Sequence, residues 1–543
     1  MTIQCKYQLP EIASEENYSC PHPRQVTHPK DELCIFHRPK LSAEDKNKLT
    51  PAELSNAISL EILFNTSLRQ FIDDAEDDGE HDTSDQPLDM RGFHFPPTYF
   101  DESFMVRPDF SHAVFVEYGD FATPKWKQHS SIVFHLGATF DDTVFLGGAN
   151  FSRTVFKEKA DFNSAHFMKD ADFSFTFFAG DGIFSNCTFR GSAEFWSSRF
   201  EGGAEFDDAS FDGSLNCAHA KFKSANFFGI KVNGASFQGS VFEGDAHIFV
   251  ASISSYLYLD GASFREMANL ASCSWPPKVR FEKTEFKKDC ILTDIEIPRD
   301  AVVTLVEVDL SRAQFGDTNV ENINFRDVRW APVKTIAGYQ RRSALWDEFR
   351  ELDEGEERRY EKIAENYRQL VINYEQKRNY ETAEDFHIGE MEMRRKKKGS
   401  GVHNRPWRLV REWFNLFGFY KISSNYGSSY RQAFLVLSIL FALFSTLFLF
   451  GGFQPSKDNV NVQPNIIEYN LLPDNSHHWN GPVRLLKDYG KAAMFTLSII
   501  TFQKDRFYEP VGWQSQLFLY SSLLILTAQA ALVLLAVRRQ FRR

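Results

Sequence analysis

The chain has 543 residues, a net charge of −12 at neutral pH, and 54 phenylalanines, a heavy over-use. Its length calls for several domains, and its charge argues against binding to nucleic acid. Seven cysteines in so long a chain do not read as a disulfide framework. From Met1 to Asp31 the sequence is polar with no apolar run, so no cleavable signal peptide is expected.

Residues 1–45 hold Cys5, Cys20, Cys34 and His37, spaced Cys-x14-Cys-x13-Cys-x2-His. Three thiolates and a neutral imidazole make a tetrahedral Zn2+ set. A segment this polar and proline-rich cannot build a core, so a structural metal staple is expected. His22 and His28 are competing ligands. The alternative is a set of free reduced thiols.

Residues 46–100 read as a capping helix and an acidic linker. Thr50 suits the N-cap and Pro51 the first helical position. Leu60, Leu63, Phe64, Leu68 and Phe71 then give an apolar stripe fit to close an open solenoid end. The run from Asp73 to Asp85 is a solvated acidic linker.

Residues 101–332 carry the organising pattern. Phe140, Phe145, Phe151, Phe156, Phe162, Phe167, Phe173, Phe178, Phe184 and Phe189 recur at alternating steps of five and six. Ala138, Ala149, Ala160 and Ala171 stand two residues before their rungs. Neither a helix nor a strand produces this spacing. One large and one small inward residue per short face is the signature of a solenoid. If each step is one face of a four-sided coil, Phe140, Phe162 and Phe184 stack in one column and a turn takes about 22 residues. That gives roughly ten coils and a length on the order of 50 Å at ~4.8 Å per coil. Cys217 occupies a rung and reads as core. His112, His129, His135, His166, His219 and His247 fall between rungs without a recurring partner. The chain has no Gly-rich phosphate loop, Gly-x-Ser-x-Gly or His-Glu-x-x-His, so no enzyme activity is expected.

Ala149-Asn150-Phe151, Ala160-Asp161-Phe162, Ala171-Asp172-Phe173 and Ala225-Asn226-Phe227 resemble the unit of the pentapeptide-repeat proteins. The resemblance implies a right-handed quadrilateral β-helix, although this chain prefers Phe to Leu and uses six-residue steps. The Cys/His segment is similar to a module attached to some membrane proteins of this kind. Some soluble members mimic DNA and bind topoisomerases, and the acidity of this ladder is compatible with that role.

Residues 333–400 turn helical. Tyr367, Leu370, Val371 and Tyr374, then Tyr380, Ala383, Phe386 and Met391, suggest a helical hairpin hinged at Arg378-Asn379. It resembles a single tetratricopeptide-like hairpin and the juxtamembrane block of pentapeptide-repeat membrane proteins. Glu390 and Glu392 beside Arg394 and Arg395 read as a salt-bridged helix face. In 401–432, Arg408 and Arg411 alternate with Trp407, Trp413, Phe414, Leu416 and Phe417, an interfacial amphipathic pattern suited to anionic lipid.

Residues 433–543 contain two uncharged runs, Ala433 to Phe450 and Leu517 to Val537, each long enough to span a bilayer. Arginines flank both on one side, which predicts a cytoplasmic (inner) membrane protein with both termini cytoplasmic. Between them, 491–512 reads as a short re-entrant element followed by a polar turn. Thr496, Ser498, Thr501 and Gln503 are its candidate pore-lining residues; the alternative is an interfacial helix with no pore. Two spans cannot enclose a pore alone, so a channel requires a homo-oligomer. The expected protein is a cytoplasmic β-helix that binds an unknown protein or ligand and is coupled to a two-span, channel-like domain. A membrane-tethered scaffold without a pore and an acidic DNA mimic are the alternatives.

Overall fold

The computed structural model describes residues 36–77, 88–96, 98–100, 103–122, 131–334, 341–351, 358–400, 405–456, 466–469, 481–501, 503 and 507–541. The chain divides into two compact units, Met1–Glu351 and Leu352–Arg543.

The first unit is a parallel β-solenoid. Two-residue strands such as Val155–Phe156, Ala160–Asp161, His166–Phe167 and Ala171–Asp172 alternate with turns. Each pairs in parallel with its equivalent one coil on: Val155 with Phe177, Ala160 with Gly182, His166 with Thr188, Ala171 with Ala193. The repeat is therefore 22 residues here. It shortens where Lys221 pairs Val241, and lengthens where Val114 pairs Val144 across 123–130, which lie outside the described residues.

The rungs stack in four columns, one per face. Phe140 lies 4.6 Å from Phe162, Phe145 4.9 Å from Phe167, Phe151 4.9 Å from Phe173 and Phe156 5.2 Å from Phe178, all near parallel. Between columns the rings meet edge to face, as Phe162 does with Phe173 at 5.4 Å. Stacking along the axis and T-shaped contact across it are the two arrangements that ring quadrupoles favour. Ala160 and Ala171 are fully buried and leave room for these rings.

Two opposite corners of each coil are tight turns. The residue after each turn is buried; a threonine or cysteine there bonds to the carbonyl of a rung one coil back, whereas Ser198 and Ser240 bond to Phe195 O and Phe237 O, the rungs three residues before them. Thr143 donates to Phe110 O (2.7 Å), Thr176 to Phe151 O (2.7 Å) and Cys187 Sγ to Phe162 O (2.8 Å). Each of these carbonyls also accepts the backbone N–H three residues on, as Phe151 O does from Thr154 N at 3.1 Å, so the side chain fills its second lone pair.

The solenoid starts earlier than position 101: Leu88–Asp89 pairs with Pro108–Asp109, and His94–Phe95 with Val114–Phe115. A one-turn helix α1 (Ala43–Lys46) and the long α2 (Pro51–Asp77) precede it. Thr50 and Glu53 form a reciprocal capping box, with Thr50 N donating to Glu53 Oε2 at 2.9 Å. Phe64 and Leu68 of α2 are buried, Phe64 packs on Phe95, and Phe36 stacks on Phe93 at 4.6 Å. At the other end an antiparallel pair, Ala331–Lys334 with Arg341–Ala344, and a 3-10 turn at Trp346–Glu348 close the stack. Asp347 there accepts from Phe315 N at 3.1 Å. These residues complete the solenoid unit, so the helical hairpin begins later than 333.

The second unit is helical. Helices α3 (Tyr360–Gln376) and α4 (Tyr380–Gly399) form the hairpin, with Arg378 left-handed at its hinge and Asn379 capping Thr382 N. Then come α5 (Arg405–Trp413), α6 (Leu416–Ser424), α7 (Tyr430–Gly451), α8 (Gly481–Ile500) and α9 (Gly512–Phe541). Helices α7 and α9 are long and apolar enough to cross a membrane, with mean hydropathies of 2.6 and 2.0. They approach closely at Gly451, where a Cβ would come within 2.9 Å of the Phe518 ring. Phe448, Phe453, Phe495, Ile499 and Leu526 bury the joint between α7, α8 and α9.

Candidate functional site

In the second unit a cluster of charge sits at the base of α7. Glu392 of α4 pairs with Arg395 (3.0 Å) and Lys421 of α6, and accepts from Tyr426 Oη at 3.1 Å. Arg395 also reaches Glu412 of α5 at 3.4 Å, and its guanidinium lies 4.5 Å from the Trp413 ring centre. Burial pushes the Glu392 carboxyl up, but Lys421 and Arg395 outweigh it and hold it below the usual range. Such a cluster locks three helices in one arrangement, because removing one partner strands a buried charge. Glu390 pairs with Arg394 at 2.6 Å, and burial raises its carboxyl. The expected salt-bridged helix face is thus split between a buried inter-helix cluster and a pair in which buried Glu390 meets exposed Arg394.

Arg539, near the end of α9, donates to Tyr426 O at 3.0 Å. Beside it is a cleft of about 140 Å³ lined by Val371, Glu375, Tyr380, Ala383, His387 and Arg539. Burial, then Arg539, depresses His387 to about 4, so the ring is neutral at pH 7.

Thr496 and Ser498 are enclosed by helix packing: Ser445 of α7 donates to Thr496 Oγ1 at 3.1 Å, and Ser498 donates to Phe495 O at 2.7 Å. Thr501 and Gln503 are exposed. Helix α8 is longer than the expected element, beginning at Gly481. Its contacts advance together with those of α7, Tyr489 to Ala442 and Phe495 to Phe448, so the two run in the same direction.

Of the proposed zinc ligands, Cys5, Cys20 and Cys34 lie outside the described residues. His37 is buried, meets Phe93 edge-on at 5.3 Å, and its Nε2 faces Arg91 O at 3.0 Å. A carbonyl accepts only from N–H, so a metal would have to take Nδ1, the arrangement in which a ligating imidazole is oriented through its other nitrogen.

On the solenoid, the tight corners recur every eleven residues with one residue in the left-handed region. Asp142, Ser164, Asn186, Ser197, Asp208 and His219 fill it alongside Arg153 and Phe175. Short polar residues tolerate that conformation; a phenylalanine there is strained. Phe175 is nonetheless 44% exposed, with Trp196 4.6 Å away edge-on and the Arg153 guanidinium 5.2 Å from its centre. Three successive coils thus present one aromatic and cationic patch. The family model for pentapeptide repeats (9 copies) matches residues 130–176 and 140–188. That stretch of the solenoid is similar to pentapeptide repeats. Among curated proteins, none matches the chain.

The interior of the solenoid offers no reactive group of its own among the described residues. Cys187, Cys217, Cys273 and Cys290 are buried, and burial raises all four thiols, Cys273 to about 11. His135 Nδ1 lies 3.1 Å from Lys157 Nζ, and His112 3.6 Å from Asp142. His129 is outside the described residues. No three His, Cys, Asp or Glu side chains are grouped for a metal among the described residues.

Sequence reasoning passed over Phe175 and Trp196. Their signal was present: both are large aromatics lying between rungs of the ladder. Lys421 and Tyr426 as partners of Glu392 carried no such signal, since only the fold brings them within reach.

Proposed function

We propose that this chain is a membrane-anchored interaction protein, in which α7 and α9 hold a pentapeptide-repeat scaffold at the cytoplasmic face of the inner membrane. The observation that carries the reading is the outer surface of those helices. Phe434, Leu435, Ile439 and Leu443 on α7, and Leu517, Leu524 and Leu534 on α9, are exposed. An apolar surface of that size belongs against lipid. Arg431, Arg538 and Arg539 at one end of the pair support a cytoplasmic placement of both termini. The pentapeptide-repeat architecture, without a catalytic cluster among the described residues, suits a structural or binding role rather than an enzyme. The partner on the solenoid is a protein docking on Phe175, Trp196 and Arg153, since exposed aromatics beside arginine are the usual anchors of interfaces. A structural Zn2+ held by Cys5, Cys20, Cys34 and His37 completes the reading.

The test is cross-linking of the full-length protein in its native membrane, comparing wild type with F175S/W196S. Specific adducts lost in the variant uphold the scaffold; an unchanged adduct pattern rejects the patch.

A homo-oligomeric channel is the second reading, favoured by the exposure of Thr501 and Gln503 just beyond α8. Bilayer current altered by T501A and Q503A would establish it. Thr496 and Ser498 serve it less well, their hydroxyls being used inside one chain.

A further inference from the structure

Helices α5 and α6 leave most of their large apolar side chains uncovered. Trp407 and Val410 of α5 fall on one stripe with Phe414 just beyond its end, and Leu416, Phe419 and Ile422 on one stripe of α6; Phe414 is 74% and Leu416 81% exposed. This surface runs on in sequence into the exposed residues of α7, Phe434 and Leu435.

The cations around it divide into two groups. Arg395 and Lys421 are spent on Glu392 and on the face of Trp413, Arg408 leans on Glu412, and Lys397 pairs with Glu361. Lys398, Arg411, Arg431 and Arg538 are exposed and have no carboxylate within ion-pair distance among the described residues; Arg431 meets the neighbouring Tyr430, its hydroxyl at 3.2 Å and its ring centre at 5.8 Å. Uncommitted cations sit at the end of α4, in α5, in the first turn of α7 and in the last turns of α9, the ends that close on one another through Arg539 and Tyr426.

We propose that this belt is a seat for the anionic phospholipid headgroups of one leaflet, with Trp407, Phe414, Leu416 and Phe419 inserted at the acyl boundary and Lys398, Arg411, Arg431 and Arg538 selecting negative charge. Two features identify the occupant: positive charge left unneutralised by the protein, and continuity with the surface of a spanning helix. An apolar stripe flanked by cations is the physical form of an interfacial helix, and uncommitted Lys and Arg near the surface are drawn to anionic lipid. Trp413 is not an anchor, because Arg395 and Lys421 occupy its face. The inference rests on the membrane reading above and adds the lipid class and the residues that choose it.

The experiment places the full-length protein in nanodiscs containing brominated phosphatidylcholine or brominated phosphatidylglycerol and reads tryptophan quenching. The contribution of Trp407 is taken by difference from W407F, and that of Trp513, at the start of α9, from W513F. The expected result is that brominated phosphatidylglycerol quenches Trp407 in preference to phosphatidylcholine. Each cation is worth about fivefold, so R411Q should cut the preference about fivefold, and 1 M salt should nearly abolish it in the unaltered protein. Equal quenching by the two lipids overturns the selectivity. Quenching of Trp513 without Trp407 overturns the seat and leaves the spans standing. Quenching of neither overturns the membrane reading, and the seat with it.

Discussion

Replacing Phe184 by alanine tests whether the ladder holds the solenoid together. The ring is fully buried, stacked between Phe162 (4.9 Å) and Phe206 (5.0 Å), with Phe173 (5.2 Å) and Phe195 (5.1 Å) edge-on to it. A buried Phe→Ala change costs about 3–5 kcal/mol, the spread reflecting how far the site can collapse. Collapse is hindered here, because the neighbouring coils are pinned by backbone pairing on every face, and two stacked and three edge contacts, the third to Phe178 at 5.9 Å, disappear together. The upper half of the range, about 4–5 kcal/mol, is therefore expected. In a repeat stack the damage falls on the interfaces of one coil with its two neighbours, so calorimetry of the full chain in detergent should show the solenoid transition lowered by about 8–15 °C. Phe184→Leu, which keeps most of the volume, should lose about 1–1.5 kcal/mol. A loss below about 1 kcal/mol for Phe184→Ala would refute the reasoning: the rings would then be passengers on a backbone ladder stable without them.

Thr176→Val removes the hydroxyl that donates to Phe151 O, a carbonyl that keeps the Thr154 N–H, and should cost about 0.5–1.5 kcal/mol in the same assay, as expected for the loss of one intramolecular hydrogen bond. Gly202→Ala, where a Cβ would meet Gly180 backbone at 2.4 Å, should destabilise the solenoid or prevent its folding, measured by yield of folded protein, whereas Gly490→Ala on α8 meets nothing within 4 Å and should be neutral or slightly stabilising. Lys421→Met leaves Glu392 with Arg395 alone, a cation that Glu412 shares, so the carboxylates of the cluster are undercompensated, and should destabilise the helical unit by up to about 3–5 kcal/mol; Lys421→Arg should restore most of it. Burial holds His94 and His387 down to about 4. The unfolded chain takes up their protons first, so each unit keeps its stability above pH 6.5 and loses up to about 2 kcal/mol per histidine between pH 7 and 5. A flat stability profile over that window, or His94→Gln and His387→Gln variants with the same slope as wild type, would contradict this.

The solenoid was legible because its physics repeats. An inward ring every five or six residues has one geometric solution, and the 22-residue register of Val155 with Phe177 follows from the spacing alone. The ends were less legible, since capping is done once. Leu88 to Phe95 lacks enough rungs to declare a coil, and the hairpin at Ala331–Lys334 and Asp347 carries no periodicity, only contacts with Phe315. The hydroxyls of Thr143 and Thr176 hide among ordinary turn residues until the carbonyl one coil back is in place. Helix α8 was read as short because Lys487, Asp488 and Lys491 interrupt its apolar run; Asp488 is buried by Lys491 (3.0 Å) and Tyr469 (2.9 Å), partners that linear sequence does not single out. The Glu392 cluster was visible as charges and invisible as a junction.

The most direct test of the central claim is alkaline carbonate extraction of membranes from cells producing the full-length protein. The account predicts that the chain stays in the membrane pellet at pH 11 and is released only by detergent, with removal of residues 430–541 sending the remainder to the soluble fraction. Release of the intact chain by carbonate alone would contradict it, and α7 and α9 would then have to find their cover in another protein.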